Sequence, residues 1–306
     1  MENKAYKMTF KMKVSRFFRT LTLKKFILGL LAQLWLIMMA LIVLTPVLWM
    51  ISAAFTNGTN LTQVPIYPKF SQWSFANYQY LFTYTSSTQA GALPDYVDSF
   101  LTTLIIAVAS MVMVVIFSSL VGFSFSRYKF RGKKQVLLGM MALQMFPSFM
   151  GMLALFMFFR QFELLNKPLA LALIYVAGSI PYNTFIVRGF MRNIPKSLDE
   201  AAFIDGASNL QTLFKIIIPL AVPIMGFIAV NAFMGPWLDY ILPSVIMPQK
   251  ITVAVWLFRF MNPLGSTYSP LRFMAGALFL TVPIMIVQIF MQRYLVYGLT
   301  AGAEKG

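Results

Sequence analysis

Six apolar runs divide the chain, at residues 26–55, 100–126, 135–159, 169–187, 216–238 and 273–292. Each approaches or exceeds the roughly 20 residues that a helix needs to cross the hydrocarbon core of a bilayer. The first two contain no charged residue, and the last is bounded by Arg272 and Arg293. The pattern predicts an all-α integral membrane protein with six transmembrane helices. It places a basic stretch at 1–25, a first transmembrane helix at 26–55 and an outer loop at 56–99. A five-helix core follows at 100–296, and a tail at 297–306 ends the chain.

Charge orients this layout. Nineteen of the 25 Lys and Arg residues fall on one side of it and six on the other. The rich side takes the N-terminal stretch, the loop at 127–134, the loop between the fourth and fifth runs, and the C-terminus. Basic loops stay cytoplasmic, so both termini are expected there. The first run is too long for a signal-peptide core and lacks a small-residue cleavage site, so it reads as a retained helix. In residues 1–25, Lys and Arg interleave with Phe10, Phe17, Phe18 and Leu21, which suits a helix lying on an anionic membrane surface. The outer loop carries Pro65, Pro68 and Pro94 with several aromatics. It is too long for a hairpin connection and reads as an ordered cap of short pieces.

Composition agrees. The chain is 59% apolar and 11% charged, with a mean hydropathy of +0.73, where soluble domains carry about 25% charged residues. A net charge of +16 would invite nucleic acid, but it is split among short loops beside the runs, so no nucleic-acid partner is expected. The absence of Cys and His excludes thiolate and imidazole metal ligation, Cys or His nucleophiles and disulfides. The 22 Met and 30 Phe, scattered through the runs, suit helix packing and lipid contact rather than a metal path.

A polar island, Glu200-Ala201-Ala202-Phe203-Ile204-Asp205-Gly206-Ala207-Ser208, separates the fourth and fifth runs. A short helix is expected within about 195–212, following Pro195 and capped in its first turn by Ser197 or Asp199. It would expose Glu200 and Asp205 for directional charge pairing. Ala201, Ala202 and Gly206 are small enough to let another protein's helix approach closely. Three residues separate Glu-Ala-Ala from Gly206, and nine separate Gly206 from Ile216-Ile217-Ile218-Pro219. This spacing resembles the cytoplasmic coupling loop of permease subunits of bacterial ABC importers, with Ile218 where that family has Leu.

Further segments carry the resemblance. Ser126-Arg127-Tyr128-Lys129-Phe130-Arg131-Gly132-Lys133 is similar to the basic segment after the second span of sugar permeases. Gln144-Met145-Phe146-Pro147 looks like their third-span signature, and Trp237-Leu238-Asp239-Tyr240 like a motif late in their fifth. The ending from Gln292-Arg293-Tyr294 through Glu304-Lys305-Gly306 resembles the smaller permease subunit of maltose and maltodextrin importers.

The resemblance implies a type I ABC importer permease fold in the bacterial cytoplasmic (inner) membrane. It implies a second, homologous permease subunit, two ATP-binding subunits, an extracytoplasmic solute-binding protein and an oligosaccharide substrate. Maltodextrin is the expected sugar, with galacto-oligosaccharides as the alternative. The implied ATPase-coupling residues are Glu200, Ala201, Ala202, Asp205 and Gly206. The loop at 247–271 would reach toward the binding protein, and the tail from Gly298 would enter the ATPase interface. The chain itself has no phosphate-binding loop, since Gly132-Lys133 lacks the upstream glycine. ATP and magnesium are therefore expected on the partner subunits, with no catalysis and no cofactor here.

Polar residues at membrane depth are costly and mark candidate substrate paths. The fifth run offers Asn231, Trp237, Asp239 and Tyr240, and the fourth Tyr182 and Asn183 beside Pro181. Aromatic faces can stack on the C–H surface of a sugar while carboxylates and amides bind its hydroxyls. The same Trp and Tyr also fit an interfacial belt, and Asp239 an outer headgroup region. A membrane enzyme such as a lipid-linked glycosyltransferase or an intramembrane protease is the rival class; the protease would need paired aspartates or Ser with His, and only Asp239 lies near a run. A channel or secondary transporter calls for inverted repeats or coupling carboxylates, and neither is visible.

Overall fold

The computed structural model describes residues 23–58, 61–67, 69–83, 95–145, 148–261 and 268–303, with backbone course alone at 23–25, 63, 72, 148–149, 259–260 and 293–303. The basic stretch at 1–25 thus lies almost wholly outside the described residues, as do 262–267 of the loop before the last helix and 304–306 of the tail. The described helices are, in order, α1 (Leu23–Phe55), α2 (Ala76–Thr83), α3 (Tyr96–Arg127), α4 (Lys133–Leu143), α5 (Met152–Gln161) and α6 (Pro168–Arg192). They continue as α7 (Ser197–Ile204), α8 (Asn209–Leu220), α9 (Val222–Leu238), α10 (Ile241–Ile246), α11 (Val253–Phe260) and α12 (Pro270–Ala303). By length and composition, α1, α3, α6 and α12 can each cross a bilayer, and α8 with α9 makes a fifth candidate bent by 84°.

The third expected span is not one helix. It falls into α4 and α5, of 11 and 10 residues, each about half a bilayer long at roughly 1.5 Å per residue. The sequence between them holds Pro147, and a proline supplies no amide to the helical ladder and disfavours helix in the residue before it. Among the described residues four spans, or five with the bent pair, are thus found of the six transmembrane helices expected. The fifth run breaks at Ala221, between Pro219 and Pro223. Pro219 has no N–H to donate back along α8, whereas Pro223 lies in the first turn of α9, where none is needed. A π-helical turn at Leu213–Ile217 precedes the bend.

Packing is closest between α3 and α6. A Cβ placed on Gly122 would lie 2.5 Å from Val187 Cγ1, so this crossing admits only glycine. At that end Phe123, Val187, Met191, Leu213, Ile217 and Met225 close a cluster over α3, α6, α8 and α9. At the opposite end of α3, Tyr96, Phe233, Trp237 and Trp256 form another. There the Tyr96 hydroxyl donates to the Gly276 carbonyl at 2.9 Å. The helix α1 packs only near its end, where Trp49 and Ala53 meet Leu271 and Met274. Its earlier apolar side chains are exposed, as in a helix surrounded by lipid.

The outer loop is ordered where described. Asn77 Nδ2 donates to the carbonyls of Ala54 and Thr56, both at 3.0 Å. Phe55 stacks on Trp73 with centroids 4.4 Å apart. These contacts fold α2 back onto the end of α1.

Candidate coupling site

The helix α7 carries the Glu-Ala-Ala sequence and divides its residues between two faces. Asp199 and Ala202 are buried, whereas Glu200, Ala201, Phe203, Ile204 and Asp205 are exposed. Ile204 is 86% exposed, a high value for a large apolar side chain beside two carboxylates. Leu210 and Phe214 of α8 are exposed as well. Exposed apolar side chains of this kind outside the apolar runs make the helix a candidate protein contact.

Local chemistry ends the helix at Gly206. The residue has φ +80°, a left-handed conformation that costs a side chain-bearing residue free energy. The Gly206 N–H donates to the Phe203 carbonyl at 3.1 Å and the Ala207 N–H to the Ala202 carbonyl at 2.9 Å. This paired closure satisfies the last carbonyls of the helix. Ser208 then opens α8 with a reciprocal cap. Its Oγ accepts from the Gln211 N–H at 3.3 Å, and its own N–H donates to Gln211 Oε1 at 2.8 Å.

The expected cap of α7 is not formed. Lys196 precedes the first residue, and no side chain caps the turn. Asp199 instead turns inward to Arg127, the last residue of α3, with Nε to Oδ2 at 2.6 Å. The terminal guanidinium nitrogens of Arg127 donate to the carbonyls of Met191 at 3.0 Å and Ile194 at 3.2 Å, at and just beyond the end of α6. One buried cation therefore ties α3, the end of α6 and α7 together. Burial pushes the Asp199 carboxyl above the ordinary aspartate value, against the opposing pull of Arg127. A cavity of about 260 Å³ beside this tie is lined by Phe123, Arg127, Asp199, Glu200 and Phe203 among others.

Residues 115–299 match the family described as binding-protein-dependent transport system inner membrane component. The chain belongs to that family. It is 36% identical over 286 residues to the galactooligosaccharides transport system permease protein of Bacillus subtilis, covering 92% of this chain and 98% of that protein. The maltodextrin transport system permease protein of Streptococcus pneumoniae is 34% identical over 289 residues, with coverage of 94% and 99%. The fold matches the crystal structure of a bacterial ABC transporter involved in the import of the acidic polysaccharide alginate, with TM-score 0.73 at 22% identity over 90% of this chain and 99% of that one. The resemblance to sugar-importer permeases, maltodextrin permeases among them, therefore holds across nearly the whole chain.

In this permease the candidate path residues do not form one cluster. Asn231 is exposed on α9, and its Nδ2 donates to the Phe227 carbonyl of the same helix at 2.8 Å. Asn183 is buried within α6, while the neighbouring Tyr182 is exposed. Trp237 is 1% exposed, with its ring edge-on to Phe100 at 5.1 Å. Asp239 and Tyr240 do lie together, just after α9. Asp239 Oδ2 accepts from the Tyr175 hydroxyl at 2.9 Å, and Oδ1 accepts from the N–H of Ile241 at 2.9 Å. Tyr240 lies against Phe258 with centroids 4.1 Å apart. Among the described residues no three His, Cys, Asp or Glu side chains converge as a metal site.

Sequence reasoning missed Arg127 as an individual. It stood as one cation of a basic loop, and only the folded chain brings it to Asp199. Gln144 is a similar case: its Nε2 donates to the Gly178 carbonyl at 2.7 Å, one turn before Pro181, joining the end of α4 to α6.

Proposed function

We propose that this chain is one of two permease subunits of an ATP-driven oligosaccharide importer, and that α7 is its coupling element. The observation that carries the reading is the division of α7 between its two faces. Arg127 anchors the inner face to α3 and α6 through Asp199. The outer face presents Glu200, Ala201, Phe203 and Ile204 for docking. A rigid helix with an apolar anchor and flanking carboxylates fits a cleft in an ATP-binding subunit. Movement of that subunit then passes to the membrane helices through the arginine tie. ATP and magnesium belong to the partner subunits, and the solute-binding protein meets the opposite face. Both termini and α7 are on the cytoplasmic side, by the distribution of Lys and Arg.

The sugar is a maltodextrin or a galacto-oligosaccharide, the cargoes of two relatives that match almost end to end. The deciding experiment co-expresses this chain with its neighbouring permease and ATPase genes and measures ATPase activity in lipid. Addition of the sugar and binding protein is expected to stimulate hydrolysis. Glu200→Ala and Gly206→Pro are expected to abolish the stimulation while sugar binding to the binding protein survives. Normal stimulation in both variants would remove α7 from the coupling path.

A further inference from the structure

Six cations from two stretches of chain line one cavity of about 430 Å³ where α3 and α6 end: Arg127, Lys129, Lys133, Arg188, Arg192 and Lys196. Among the described residues no carboxylate lines it. Arg127 is committed to Asp199, which does not line the cavity. Lys133 Nζ donates to the Tyr128 carbonyl at 2.9 Å, and Arg188 Nε to the Phe125 carbonyl at 3.3 Å. These contacts hold two of the cations in place without neutralising them. Arg188 and Arg192 stand one turn apart on α6, a spacing at which like charges repel. Burial first, and then the charges of Arg188, Arg192 and Lys196, hold the Lys133 amine below its ordinary value. Such crowding is relieved by an anion with several acceptor oxygens, which arginine forks and lysine point charges contact together.

We infer that this cavity binds the phosphate of an anionic phospholipid headgroup. Two features of its surroundings favour a lipid as the source of the phosphate. The cavity lies at the shared end of two candidate membrane spans, the level at which headgroups sit. Beside it, α4 begins at Lys133 and buries none of its eleven residues, leaving Val136, Leu138, Met141 and Leu143 exposed. A phosphate held by the cations can lay its acyl chains along that apolar helix. The inference goes beyond the coupling role of α7 and does not require it.

The test is native mass spectrometry of the full chain, alone and in the assembled transporter, after equilibration with vesicles of equal phosphatidylglycerol and phosphatidylcholine. The wild-type chain is expected to retain phosphatidylglycerol selectively. Each neutralised cation near a headgroup is worth about a factor of five, so Lys129→Gln/Lys133→Gln/Arg192→Gln should lower the preference by roughly 100-fold. The charge-keeping variant Lys129→Arg/Lys133→Arg/Arg192→Lys should retain it, which separates lost recognition from lost folding. Equal retention by wild type and the neutralised variant would overturn the proposal. Displacement of the lipid by added inorganic phosphate would assign the cavity to free phosphate instead. A preference that vanishes in the assembled transporter would assign it to a partner protein.

Discussion

Arg127 and Asp199 meet at 2.6 Å with side chains only 7% and 10% exposed, and they join the end of one long membrane helix to the helix carrying the Glu-Ala-Ala motif. The same guanidinium spans two carbonyls at the end of α6. A lysine would not reproduce this, because its ammonium is a single point and lacks the planar fork whose two terminal nitrogens reach separate carbonyls while the charge pairs with Asp199. The arrangement fixes α7 at its inner face.

Removing one partner of a buried pair leaves an uncompensated charge. Asp199→Ala is therefore expected to destabilise the chain by on the order of 3 kcal/mol, and Arg127→Ala by a similar amount. The double variant should fall well short of their sum, because no charge is then left unpaired. Denaturation of the four proteins in one detergent measures this. Strict additivity would mean that the pair carries no coupling.

Gly206 supplies a second prediction. Nothing lies within 4 Å of a Cβ built there, so a substitution meets strain in its backbone and not a clash. Gly206→Ala should cost about 1 kcal/mol, and Gly206→Asn less, since asparagine tolerates the left-handed region better. Proline cannot adopt a positive φ, so Gly206→Pro should disrupt the closure of α7 altogether. Amide exchange at Ala207, whose N–H closes the helix, would rank the three. Equal protection in all of them would contradict the closure described.

The helices that were legible in the sequence are those whose apolar runs continue without interruption, α1, α3, α6 and α12. Hydropathy records the cost of transfer to lipid and is blind to the backbone. It therefore passed over Pro147, which leaves the third run as α4 and α5, and over the 84° bend at Ala221. The short helix around Glu200 was legible because Pro195 and Gly206 punctuate it. Its anchoring was not, because Asp199 reads equally well as a local cap until Arg127 arrives from another helix. Trp237 and Asp239 show the same limit. Their residue types suit a sugar, while their partners, Phe100, Tyr175 and the N–H of Ile241, are set by the fold.

Asp239 gives a third prediction, which separates charge from structure. Its two oxygens hold Tyr175 and the start of α10. Asparagine keeps one acceptor for the Ile241 N–H, whereas alanine removes every contact. If Asp239 works through these contacts, Asp239→Asn should keep most transport while Asp239→Ala loses it, and Tyr175→Phe should fall between them. Sugar uptake by the three variants at matched membrane levels decides the point. Loss as deep in the asparagine variant as in alanine would assign the negative charge itself to the substrate.

The crossing of α3 and α6 gives a fourth. A methyl group on Gly122 would meet Val187 Cγ1 at 2.5 Å, Val187 Cβ at 2.9 Å and the Arg188 backbone nitrogen at 3.3 Å. Two of these atoms belong to one side chain, and the third is fixed in a helix. Gly122→Ala must therefore push the helices apart, an overpacking expected to cost about 1–3 kcal/mol. Val187→Ala removes the nearest atom and leaves a small void. Because alanine loses both Cγ methyls of Val187 but keeps its Cβ, the double variant should recover part of the stability lost by Gly122→Ala alone. The same displacement moves Arg188 and the end of α6, so ATPase coupling should recover in parallel with stability. Thermal unfolding and stimulated hydrolysis in the two single variants and the double variant test both claims. A double variant no better than Gly122→Ala would place the clash on the Val187 Cβ and the Arg188 backbone, neither of which Val187→Ala removes.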